Sequence, residues 1–67
     1  MVCVEVEYRT GWIYSEVFYG VPKKMIEKSL LSVWKPETDE QLLEIRYYDY
    51  EDCQWKTAYR RENGSEL

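Results

Sequence analysis

Histidine is absent from the 67 residues, and glycine, proline and cysteine are scarce at three, two and two. Without imidazole there is no Ser-His or Cys-His nucleophile system and no general acid-base of the usual kind. Three glycines cannot build a phosphate-cradling loop. Cys3 and Cys53 fall short of the four ligands of a structural zinc site. Nothing in the chain calls for an oxidising compartment, so both are expected as free thiols. No apolar run approaches the roughly 18 residues of a membrane-spanning helix. The N-terminal stretch MVCVEVEYR alternates and carries acids early, unlike a signal peptide, so the expected compartment is the cytoplasm. No cofactor, metal or catalytic role is expected. Asp49, Glu51 and Asp52 form an acidic turn, but it does not match a calcium loop and lacks its glycine.

Positive charge is also in short supply. Nine lysines and arginines face thirteen acids, for a net charge of −4. From Glu37 to Asp52 seven acids meet the single base Arg46. Nucleic-acid affinity rests on basic groups neutralising phosphates, so nucleic acid is not the expected partner on this balance. Lys23, Lys24 and Lys28 on the helix described below read as a solvated face rather than a phosphate site.

Aromatic residues are plentiful. Three tryptophans, seven tyrosines and one phenylalanine make 16% of the chain. So short a chain forms one domain, expected over 1–62 with a frayed tail at 63–67.

Pro22 to Trp34 is the clearest helix. Proline suits its first turn, and Lys35-Pro36 ends it. Met25, Ile26, Leu30, Val33 and Trp34 fall near one face. Val2 to Tyr8 alternates strictly and reads as a strand with Val2, Val4, Val6 and Tyr8 inward. Gly11 turns the chain into a second strand, 12–19. Leu42 to Tyr50 and Gln54 to Arg61 read as a second hairpin, with Glu44 opposite Arg60 and Ile45 opposite Tyr59. Thr38-Asp-Glu-Gln41 also fits a capping box, which makes a helix from Leu42 the rival, but the run Tyr47-Tyr48-Asp49-Tyr50 disfavours it. The expected fold is α+β: a four-stranded antiparallel sheet in the order ββαββ, with one helix on one face.

The first hairpin has two registers. Pairing Arg9 with Trp12 sets Ile13, Ser15, Val17 and Tyr19 inward and Trp12, Tyr14 and Phe18 on the open face, with Glu5 opposite Glu16. Pairing Tyr8 with Trp12 turns the three aromatics inward and carries Glu16 with them. An unpaired buried carboxylate costs more than a solvated like-charge pair, so the first register is preferred. Trp34, Tyr47, Trp55 and Tyr59 are assigned to the core.

The expected binding set is then Trp12, Tyr14 and Phe18, with Tyr48 and Tyr50 from the second hairpin. Tyrosine and tryptophan are common interface anchors. Acids around the set favour a protein partner, one with a basic surface being the expectation. The size, acidity and lack of chemistry match small phage- or mobile-element-type accessory proteins that act as inhibitors or adaptors. The alternative is a single-stranded nucleic-acid binder that stacks bases on the same rings. A homodimer through the open face or an edge strand is also expected. The segment Phe18-Tyr-Gly-Val-Pro22 with its following helix resembles the strand-turn-helix of small KTSC-type domains. The serine-glycine element expected after that helix is missing, and no family is assigned.

Overall fold

The computed structural model describes residues 1–62; the expected tail at 63–67 lies outside them. Four strands, β1 (Val2–Tyr8), β2 (Ile13–Phe18), β3 (Leu42–Asp49) and β4 (Gln54–Arg60), form one antiparallel sheet in the order β2-β1-β3-β4. The helix α1 (Ile26–Trp34) lies on one face, after a 3₁₀ turn at Lys23–Met25. The architecture is the expected α+β fold of ββαββ order. Leu42 begins a strand rather than a second helix. Thr38 closes a 3₁₀ turn instead of capping, its hydroxyl donating to the Lys35 carbonyl at 2.8 Å.

The core follows from alternation on the central strands. Val2, Val4 and Val6 of β1 and Ile45 and Tyr47 of β3 point to the helix side, where Ile26 and Leu30 meet them. Ile26, Leu30 and the half-buried Trp34 stand four residues apart, so they share one stripe. Met25 and Val33, expected on that stripe, are exposed, because a nine-residue helix over a twisted sheet presents only a narrow seam. Lys35 ends the helix in the left-handed conformation at φ 46°, ahead of Pro36.

Two bulges change the pattern within the second hairpin. Glu7 faces Glu44 while Tyr8 faces Leu42, which leaves Leu43 as the extra residue. Leu42 therefore fills the core and Leu43 is only half-buried, the reverse of strict alternation. On β4, Tyr59 faces Ile45 but Thr57 faces Arg46, which leaves Ala58 extra. Ahead of that bulge every β4 side chain changes face. Trp55, expected inside, stands opposite Tyr48 on the open face and is 51% exposed.

Candidate interaction surface

The first hairpin takes the register that the sequence reading set aside. Val2 pairs with Phe18, Val4 with Glu16 and Val6 with Tyr14. Trp12, Tyr14 and Phe18 thus lie on the helix side, and Ile13, Ser15 and Val17 lie on the open face. The turn fits this register. The Gly11 N–H donates to the Tyr8 carbonyl and the Tyr8 N–H to the Trp12 carbonyl, each at 2.9 Å. Arg9, Thr10 and Gly11 form a three-residue loop, with Gly11 at φ 92° in its last position. A two-residue Thr10-Gly11 loop needs either positive φ at both positions or glycine first, and β-branched Thr10 suits neither. That signal was present in the sequence.

The objection to this register was a buried Glu16, and it fails because β2 is an edge strand. Five of its six residues are exposed, Glu16 included. Its carboxylate stays in water and accepts a hydrogen bond from the Tyr14 hydroxyl at 2.8 Å. That bond raises the Tyr14 pKa above the ordinary phenol value.

The helix-side rings form a ladder along β2. Tyr8 stacks on Trp12 at 5.6 Å between centroids, Trp12 meets Tyr14 edge-on at 6.2 Å, and Tyr14 and Phe18 both touch Trp34. Phe18 is half-buried against the core, while Trp12 remains 62% exposed. Tyr8, Trp12, Tyr14, Glu16, Val33 and Trp34 line an open groove of about 350 Å³.

The open face has a second aromatic group. The Tyr48 ring meets Tyr50 at 5.0 Å and Trp55 at 5.5 Å, both edge-on. Cys3 and Val17 continue this row across β1 and β2, since Cys3 pairs with both Val17 and Tyr48. The expected set is therefore split: Tyr48 and Tyr50 belong to the open face, Trp12, Tyr14 and Phe18 to the helix side. Trp55, missed by the sequence reading, joins the first pair.

Beside these rings the face is charged. Arg46 donates to Glu5 and to Glu7, both at 3.0 Å, and Glu44 lies 3.8 Å away. Partial burial alone would weaken its hold on the proton, but Glu7 and Glu5 outweigh that and raise its pKa. Arg60 reaches Glu44 at 3.7 Å.

The β3–β4 turn holds a further charged cluster. Asp49 is 3% exposed and accepts from the Glu51 N–H at 2.9 Å and from Lys56 at 3.1 Å. Burial would raise the Asp49 carboxyl, but Lys56 and the two turn N–H groups outweigh it and leave its pKa lowered. Asp52 accepts from Lys56 and from Lys23, the latter at 3.0 Å, and its pKa is lowered by both. Lys23 is thus tied down rather than part of a free basic patch. Among the described residues no group of three or more Asp, Glu or Cys side chains is arranged to hold a metal ion. Cys3 is half-buried, Cys53 is exposed in the turn at φ 53°, and both are free thiols. No helix among the described residues is long and apolar enough to cross a membrane.

Comparison with known proteins returns no family model, no curated protein and no solved structure that matches this chain.

Proposed function

We propose that this chain is a small, acidic, non-catalytic protein-binding module, an inhibitor or adaptor of the accessory-protein type, acting in the cytoplasm. The binding surface is the aromatic end of the open sheet face, Tyr48, Tyr50 and Trp55, in place of the mixed set expected from the sequence. The observation that carries this reading is the exposure of Trp55 and Tyr50 on the sheet face opposite α1. Large rings with a polar tip supply contact area at small entropic cost, and such residues dominate interface energies.

The neighbouring charge favours a protein over a nucleic acid. Arg46 is engaged by Glu5 and Glu7, so it has little left to offer a phosphate. Glu5, Glu7 and Glu44 against Arg46 and Arg60 leave the part of the face that runs on from the rings acidic, which suits a partner with basic residues beside an apolar centre.

The test pairs two measurements. In the first, a single-stranded oligonucleotide titration at low salt is expected to show no binding; salt-sensitive binding lost in Trp55→Ser would replace this reading with the base-stacking alternative. In the second, affinity capture from host extract is expected to retain a partner that Tyr50→Ser with Trp55→Ser loses while the chain stays folded, with only a modest fall in melting temperature. Capture that is indifferent to that double substitution would remove the open face from consideration.

A further inference from the structure

We propose that β2 is a self-pairing edge, and that two copies of this chain join β2 to β2 about a two-fold axis through Ser15 into one continuous eight-stranded sheet. This surface is separate from the open-face rings, so it stands or falls independently of the function proposed above.

The Tyr8 N–H donates to the Trp12 carbonyl, and the β1–β2 register is unbroken from Val2/Phe18 to Glu7/Ile13. Antiparallel ladders alternate, so the even-numbered residues of β2 direct their N–H and C=O groups to β1. Those of Ile13, Ser15 and Val17 therefore point off the sheet. Exposed edges of this kind are normally blunted by lysine, proline or a bulge. The opposite edge, β4, carries Lys56 and the Ala58 bulge. β2 carries none of these, and its one charge is Glu16.

The side chains specify the register. Trp12-Ile13-Tyr14-Ser15-Glu16-Val17-Phe18 reads almost alike in both directions about Ser15. A two-fold axis there pairs the outward backbone groups of Ser15 with those of its copy, and Ile13 with Val17. On the open face the cross-strand pairs are then aliphatic. On the helix side Trp12 faces Phe18, and Tyr14 faces Glu16. Aromatic pairs and a hydroxyl against a carboxylate are favourable neighbours across strands. Centring the axis on Glu16 instead would set two carboxylates opposite one another. Centring it on Tyr14 would set Trp12 against Glu16 and leave Phe18 unpaired. A two-fold axis perpendicular to the sheet keeps both helices on the same side. It also brings Trp12, Tyr14 and Val33, all exposed in the single chain, towards the junction.

Sedimentation at micromolar concentration is expected to show twice the chain mass. Ser15→Pro removes an N–H that the chain itself does not use, and Val17→Lys places charge opposite Ile13. Both are expected to give monomers with an unchanged far-ultraviolet spectrum, and Val17→Lys decides should the proline disturb folding. In a background of Cys3→Ser with Cys53→Ser, Ser15→Cys is expected to form an intermolecular disulfide on mild oxidation. Paired Cα atoms of this kind stand about 5.5 Å apart, inside the range a disulfide spans. Thr57→Cys, on β4, is expected not to cross-link. Tyr50→Ser with Trp55→Ser is expected to leave the dimer intact, which separates this edge from the open-face rings. A monomer at every soluble concentration, a dimer that persists in Val17→Lys, or cross-linking through Thr57→Cys as readily as Ser15→Cys would overturn the proposal.

Discussion

The two hairpins are built from similar residues and secured in different ways. The β3–β4 hairpin is fastened at both ends. At its turn Asp49 is buried among Lys56 and turn N–H groups. At its open end Arg61 donates to the carbonyls of Leu42, Pro36 and Asp39, each at 2.9 Å, and lies over the Tyr59 ring. The β1–β2 hairpin has no such fastening on its outer strand. β1 is buried between neighbours, but β2 meets the rest of the molecule mainly through Phe18 and the Trp34 ring. Specific polar contacts fix the second hairpin; a turn glycine and one tryptophan fix the first.

Trp34→Ala removes the ring on which Tyr14 and Phe18 rest. It is expected to destabilise the fold by about 3 kcal/mol, the lower end for a large aromatic because Trp34 is only half-buried. Amide exchange should quicken in β2 before β4. Trp55→Ala, on the open face, is expected to lose about 1 kcal/mol or less. Equal losses in urea titrations would show that both aromatic groups bear on folding alike and would dissolve the contrast.

Arg61→Ala tests the second hairpin's open end. Charged donors to carbonyls contribute about 1.5–3 kcal/mol when lost, so a loss of about 2 kcal/mol is expected. Arg61→Lys should recover only part, because an ammonium cannot reach three carbonyls as a planar fork does. Full recovery in a thermal melt would mean that charge alone matters there.

The hairpin turn is expected to respond to acid. The carboxyls of Asp49 and Asp52 titrate below their ordinary value in the fold. Their contribution is therefore complete above the unfolded carboxylate pKa of about 3.9, and it is lost as pH falls through the lowered folded values. Lys56→Met removes a main cause of that lowering and leaves only the turn N–H groups to offset the burial of Asp49. Its acid unfolding midpoint should move to higher pH, whereas Lys24→Met, at an exposed lysine, should leave it in place. Tyr47 supplies the alkaline counterpart. Burial and the Glu27 hydrogen bond push its phenol up to about 12. Stability is thus expected to fall as pH rises from about 10, the unfolded phenol value, towards that figure. An acid midpoint unmoved by Lys56→Met would show that the turn cluster is ornamental to folding.

The same contrast explains what could be read from the sequence. The pairs Glu44/Arg60 and Ile45/Tyr59 were legible because an ion pair and an apolar pair mark the register by themselves. The element order and the central valines were legible from period-two alternation. Trp55 and Leu43 were not, because each lies at or beyond a bulge, and a bulge leaves no mark in hydrophobic alternation. The candidate surface suffered most. Its site residues depend on which face each strand residue takes, and a helix-side Glu16 is costly only if β2 is a covered strand, whereas here Glu16 is exposed. Strand order in space, which makes β2 an edge, does not follow from local pattern.

The smallest effect bears on that decision. Thr10→Asn converts the turn to Asn-Gly, a strong signal for a two-residue loop. Such a loop would shift β2 by one residue and carry Trp12, Tyr14 and Phe18 to the open face. If the turn alone sets the register, the substitution should flip the strand. Trp34 argues against this, because the flip would strip Phe18 from the core and both rings from Trp34. Asparagine also fits the existing three-residue loop, where it replaces an exposed threonine whose hydroxyl accepts a local turn bond from the Trp12 N–H. The stability change is therefore expected to be a few tenths of a kcal/mol, as for exposed substitutions away from special features. Nuclear Overhauser contacts between the Tyr14 and Trp34 rings should persist. Their replacement by contacts between Val17 and Trp34 would show that three loop residues outweigh the aromatic ladder, and that the register of this hairpin is held by Gly11 and its neighbours alone.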